Sequence, residues 1–183
     1  MKKIILRFGT YAAIGELLTF FLVWLLLTLV QIDLKVQGTI SWFVIISPLI
    51  FVFFGIKHYR DNVNNGTVSF LKGLQIGLLM IFIPAIAYAI IETVYVIYLN
   101  PDFYANIARH ELEDFRKTLS PAQFAAKQQE INQELERNKN PVYNFSIMVI
   151  VIYVLGVIIT VLSALLLQRK TAKTPNVLMS QCN

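Results

Sequence analysis

The chain has 183 residues, 56% of them from the apolar set Ala, Val, Ile, Leu, Met, Phe, Trp, Tyr and Cys, and only 15% charged. That excess over ordinary globular usage, with a mean hydropathy of +0.61, excludes a soluble domain. A single cysteine, Cys182, excludes an internal disulfide framework, and 8 Gly with 6 Pro exclude a collagenous or low-complexity chain. The formal net charge of +5 raises the question of nucleic acid, which its distribution along the chain answers below.

The first predicted element is an apolar run over residues 8–30, preceded by Lys2, Lys3 and Arg7. It has the flanks of a signal peptide, but it is longer than the usual apolar region of about 7–15 residues and no small-x-small cleavage site follows. It therefore reads as an uncleaved membrane anchor. Three more stretches, 38–56, 71–99 and 142–167, match it. Each approaches or exceeds the roughly 20 residues that cross a hydrocarbon core of about 30 Å. Backbone groups in lipid must be satisfied within the segment, so all four are predicted helices, and no alternating pattern suggests a barrel.

Charges inside such spans are costly and are functional candidates by default. Two occur, Glu16 in the first span and Glu92 in the third. Counted at about 1.5 Å per residue, their heights differ by roughly 8 Å, too far for a direct carboxylate pair. Either they form a polar path, or each is satisfied locally, Glu16 by Thr19 and Glu92 by Tyr88, Tyr95 or Thr93 at helical spacing. Pro48 and Pro84 interrupt spans two and three. Gly73 and Gly77 in span three, and Gly156, Thr160 and Ala164 in span four, put a small residue every fourth position. Such ridges suit close helix contact, within the chain or in a homo-oligomer, and packing within the chain is the simpler expectation.

The turn at 57–70 is dense in polar residues: His58, Arg60 and Asp61, then Asn65-Gly66, then Ser69 ahead of span three. Asn-Gly suits a tight turn with positive φ, and Ser69 suits a helix N-cap. His58, Arg60 and Asp61 are candidate functional residues at headgroup level, Arg60 beside Asp61 offering a donor fork and an acceptor.

Between spans three and four the pattern is two amphipathic helices over about 102–138. Ala108, Leu112, Phe115 and Leu119 form one apolar stripe, and Phe124, Ile131 and Leu135 continue it. Ser120, Pro121 and Gln123 mark the start of the second helix as a capping box with proline at its first position. The expected object is an α-hairpin outside the membrane. Its stripe, Leu112, Phe115, Leu119, Phe124, Ile131 and Leu135, serves self-packing, packing on the span ends and the lipid interface, or docking of a partner.

Basic residues cluster at one membrane face: Lys2, Lys3 and Arg7; Lys57, Arg60 and Lys72; Arg169, Lys170 and Lys173. This places both termini and the 57–70 turn in the cytoplasm, and the 102–138 hairpin outside. The positive charge thus belongs to the membrane surface, and no basic patch with interleaved aromatics points to nucleic acid. No HExxH, CxxC, Walker loop, GxSxG or GxGxxG is present, so no cofactor, metal or enzymatic reaction is expected.

Tyr59-Arg60-Asp61, Asn65-Gly66, Ser69-Phe70 and Gly73 between two apolar spans, followed by Asn100-Pro101-Asp102-Phe103 after the third, resemble a family of small four-span bacterial membrane proteins of unknown function. That family is known chiefly from the Bacteroidetes, and the likeness covers about residues 5–170. It implies an inner-membrane, four-helix protein, and a partner in envelope glycan assembly such as a membrane glycosyltransferase. The resulting expectation is an all-α integral membrane protein, one membrane domain over 1–183, with four transmembrane helices and an extracytoplasmic α-hairpin between the third and fourth. Its leading role is that of a non-enzymatic accessory subunit for an envelope partner in the bacterial inner membrane. The alternative is a small transporter or lipid-handling protein that uses Glu16 and Glu92.

Overall fold

A computed structural model describes residues 1–30 and 34–169; Lys170, Lys173 and Cys182 lie outside them. The first helix, α1, spans Lys2–Leu29. It starts before the apolar run because nothing in Lys2 to Arg7 breaks a helix, and it ends where Val30 turns extended. Its buried face is made of small residues, Gly9, Ala12 and Ala13, together with Ile4 and Glu16.

The second span is divided. Helix α2, Leu34–Ile46, leads into a 3₁₀ turn at Ser47–Leu49 and then helix α3, Ile50–Asn62. Pro48 sits in that turn, where its missing N–H and ring stop a regular α ladder. Helix α3 continues past the predicted end at 56, so His58, Arg60 and Asp61 stand on its last turn rather than in the loop. The turn proper is 63–69. Asn65 and Gly66 both take positive φ, 49° and 78°, as Asn-Gly readily does.

Helix α4, Phe70–Val94, starts at Ser69, whose hydroxyl accepts from the Lys72 N–H. It ends in a five-residue π turn, Tyr95–Leu99. Helices α5, Phe103–Thr118, and α6, Pro121–Asn138, follow. The Gln123 side chain reaches back to the Ser120 N–H at 3.2 Å, and the Ser120 side chain accepts from the Gln123 N–H, which together make the expected capping box. Helix α7, Pro141–Leu167, opens with Pro141 at its first position and Asn140 as N-cap, whose Oδ1 accepts from the N–H groups of Val142 and Tyr143.

Ring and glycine contacts fix the directions. Gly9 lies against Met80 and Ile83, and Phe20 against Tyr88 and Tyr95, so α1 and α4 run side by side in the same sense. Phe8 meets His58 and Tyr11 meets Phe51, so α3 runs opposite to α1. Gly73 faces Ala164, Gly77 faces Thr160, and Gly156 faces Ile81, which makes α7 antiparallel to α4. The two small-residue ridges therefore meet each other within one chain. A Cβ on Gly77 would stand 2.8 Å from the Thr160 hydroxyl oxygen, closer than packing tolerates.

Helix α4 is the centre. One apolar cluster, Val52, Ile56, Ile76, Met80, Ile81 and Leu167, fills the end of the bundle near the 63–69 turn. A second, Val44, Ala85, Tyr88 and Ile152, fills the half toward α5 and α6. Large apolar side chains cover the outside, among them Leu22, Phe43, Leu79, Ile150 and Leu166. Four helices, Lys2–Leu29, Trp42–Asn62, Phe70–Leu99 and Pro141–Leu167, are long and apolar enough to cross a membrane. Those exposed side chains are then facing hydrocarbon.

The turn end is tied shut by backbone. The Val68 N–H donates to the Arg169 carbonyl at 3.2 Å and the Arg169 N–H to the Val68 carbonyl at 2.9 Å. This isolated bridge joins the 63–69 turn to the exit of α7.

Candidate functional site

Glu92 sits one turn before the π segment, buried on α4, and its partners come from other elements. The Tyr104 hydroxyl on α5 donates to Glu92 Oε1. Asn144, fully buried on α7, donates its Nδ2 to the Tyr104 oxygen at 3.4 Å and accepts at Oδ1 from the Thr93 hydroxyl at 2.8 Å. Thr93, Asn144, Tyr104 and Glu92 thus form a directed chain of donors ending on one carboxyl oxygen. The other, Oε2, is buried and has no hydrogen-bond partner among the described residues. Burial, reinforced by the neighbouring Glu92, pushes the Tyr104 phenol above its ordinary range, so it stays a donor at any physiological pH.

The sequence-based partners of Glu92 do other work. Thr93 serves Asn144, and the Tyr95 hydroxyl accepts from Asn100 Nδ2 at 3.1 Å. Tyr104 and Asn144 were not legible from helical spacing, because both act across helices. Two signals pointed near them: Asn144 is a polar residue just inside an apolar span, and Tyr104 directly follows the Asn-Pro-Asp-Phe stretch.

Beside this network lies a cavity of about 570 Å³, bounded by α1, α2, α4, the π turn, α5 and α7. That size is in the range of small-molecule sites. Its walls are mostly apolar, with Phe20, Val23, Leu27, Val44, Ile107 and Val151, and its polar groups include Glu92, Tyr88, Tyr104 and Asn100. Trp24 and Trp42, the two tryptophans of the chain, also line it and are partly exposed on the outer surface. The cavity is thus lined by Trp24 and Trp42 of α1 and α2 as well as by Glu92 of α4. The π turn matters here, since such turns shift the residues after them around the helix axis. It carries Tyr95 and Val96 into the wall.

Glu16 is a different case. It is fully buried, neither carboxyl oxygen has a partner among the described residues, and it is absent from the cavity wall. Thr19 donates instead to the backbone carbonyls of Gly15 and Glu16, so it does not satisfy the carboxyl as its spacing suggests. Tyr88 lies within electrostatic reach of both glutamates.

His58, Arg60 and Asp61 gather at the opposite end. Arg60 grips Asp61 with Nε to Oδ1 at 2.6 Å and Nη2 to Oδ2 at 3.1 Å, and reaches the Leu167 carbonyl with Nη1 at 3.5 Å. It thereby supplies a donor to the exposed carbonyl end of α7. His58 Nδ1 meets Asn62 at 3.1 Å and its ring packs on Phe8. On the α5 and α6 stripe, Ile131 is buried, and Leu112, Phe115, Leu119, Phe124 and Leu135 are half-buried. The Lys127 ammonium on α6 lies 5.8 Å over the Phe115 ring on α5. Among the described residues no group of three or more His, Cys, Asp or Glu comes together to hold a metal ion.

No curated protein and no solved structure matches the chain. A family model described as protein of unknown function (DUF4199) matches residues 7–169. With nearly all of the four spans and the intervening helices inside that match, the chain belongs to this family of proteins of unknown function.

Proposed function

We propose that the protein is a non-enzymatic, multi-pass membrane protein that binds an amphiphile in the cavity beside Glu92, the lipid-handling member of the two roles expected from sequence. One observation carries this reading: a cavity of about 570 Å³ with mostly apolar walls is lined at one place by the Glu92 carboxyl and the Tyr88 and Tyr104 phenols. A mostly apolar cavity of this size with a few convergent polar groups is the form that small-molecule sites take. The reading includes a single membrane domain in a bacterial inner membrane. The basic residues of the turn end face the cytoplasm, and α5 and α6 form a helical hairpin outside.

The accessory-subunit reading draws on the same stripe of α5 and α6. With Ile131 buried and the rest of the stripe half-buried, little of it is open to an envelope partner such as a glycosyltransferase, and the cavity has the greater weight. The test is mass spectrometry of lipid extracted from protein purified in mild detergent, beside Val151→Phe, which puts a larger side chain on the cavity wall. A near-stoichiometric amphiphile on the unaltered protein, lost from a variant of equal melting temperature, is the expected result. Equal, non-stoichiometric lipid on both would sink the proposal.

A further inference from the structure

We infer that the cavity beside Glu92 communicates with water through a second cavity, and that the Tyr104 side chain is the gate between the two. This rests on the amphiphile-binding reading and adds to it a route by which the polar end of the amphiphile reaches the aqueous side. The second cavity, of about 380 Å³, lies between the π turn, the start of α5 and the end of α6, with Ile97, Ala105 and Leu135 in its wall. Glu136 and Lys139 also line it, and they form an ion pair at 2.6 Å with both side chains 71% exposed, so this cavity borders water.

The two cavities lie back to back. Along the π turn Tyr95 lines the first, Val96 both and Ile97 the second; along α5 Phe103 lines the first, Tyr104 both and Ala105 the second. Two chain segments therefore cross the boundary in step, and at each the boundary is one residue thick. Val96 is buried, with a short branched side chain that is stiff at χ1. The longer Tyr104 side chain is held at its tip by polar contacts, its hydroxyl donating to Glu92 and accepting from Asn144 at 3.4 Å. Tyr104 is thus the movable part and Glu92 its latch. The division of character suits an amphiphile: mostly apolar walls on one side of Tyr104, an exposed ion pair on the other.

The test is access of a hydrophilic thiol reagent to the first cavity. In a Cys182→Ser background, Met148→Cys puts a thiol on the wall of the first cavity and not on that of the second. The full-length protein in phosphatidylcholine nanodiscs is treated with a sulfonated methanethiosulfonate, and the labelling rate is read by mass spectrometry. Tyr104→Phe keeps the ring, and so the bulk of the partition, and removes the latch; Glu92→Leu removes the latch from the other side. Each should speed labelling by about tenfold, the scale of one hydrogen bond to a carboxyl, and the two together by no more than either alone. Ala105→Trp, which crowds the second cavity, should slow labelling in all of these proteins. Ala85→Cys, fully buried and on neither wall, should label slowly and equally throughout, which separates opening of the gate from loosening of the bundle. Labelling of Met148→Cys that is unchanged by Tyr104→Phe and Glu92→Leu, or indifferent to Ala105→Trp, would overturn the gate, and so would equal acceleration at Ala85→Cys. Stoichiometric lipid in the extraction test is a separate readout, so the gate can fail while the amphiphile reading stands. If one latch variant fails to fold, the other decides.

Discussion

Two glutamates in neighbouring helices differ in what surrounds them, and that difference sets opposite expectations for replacing them. Glu16 has two buried carboxyl oxygens and no partner among the described residues, so removing them relieves an unmet polar burial. Glu16→Leu should stabilise the protein by about 1–3 kcal/mol in a detergent unfolding titration. A loss of stability would mean that Glu16 has a partner. Tyr104→Phe should do the reverse, costing about 1–2 kcal/mol by the same titration, since Glu92 Oε1 loses its donor and Asn144 Nδ2 its acceptor. Combined with Asn144→Ala, its effect should fall short of the sum, because the two residues share one network. The sequence disclosed both carboxylates, as charges in apolar runs stand out unaided. It did not disclose their surroundings: spacing of three or four residues sees one helix only, whereas Tyr104 reaches Glu92 from a second helix and Asn144 reaches Tyr104 from a third.

At the scale of elements, the helices were legible where hydropathy and capping act, and less so where hydrogen bonding outlasts hydropathy. Apolar content marks residues that sit in hydrocarbon, whereas a helix runs on until something stops it. Hence α1 begins at Lys2 rather than near 8, and α3 continues to Asn62 rather than 56. Ser69 and the Ser120–Gln123 pair were readable because capping is local chemistry. Ser120→Ala should therefore destabilise α6 by about 1 kcal/mol, visible as faster amide exchange in its first turns. The ridge contact between α4 and α7 was readable as a contact face but not as a pairing. Its test is Gly77→Val. With the Thr160 hydroxyl 2.8 Å from the position of the first added carbon, the substitution should cost about 1–3 kcal/mol or more and lower the detergent melting temperature. Gly66→Ala should also destabilise, for a separate reason: space is open there, but φ is +78°.

For the whole molecule, the proposed orientation has a direct check. In a Cys182→Ser background, which removes the one cysteine of the chain, Gln128→Cys on α6 should react with a membrane-impermeant maleimide from outside intact spheroplasts. Val63→Cys should react only after lysis, and the opposite pattern would invert the topology. The overall architecture was open to sequence reading because the bilayer fixes span length and forces helices. The cavity was not, because it is lined by residues from five helices, and spacing along one helix does not show which residues of the others it meets.

The bridge between Val68 and Arg169 has a bearing on how the protein is made. Its two halves are separated by the whole of α4 to α7, so a ribosome must synthesise nearly all of the match to the family before Val68 finds its partner. Arg60 waits equally long for the Leu167 carbonyl. During insertion the first three spans must therefore persist as an unlatched intermediate, with the 63–69 turn unsealed, and the cavity can take its final form only when the last span arrives. Synthesis arrested before α7 should yield a membrane-inserted but protease-sensitive chain, and completing that one helix should confer resistance on the entire bundle at once.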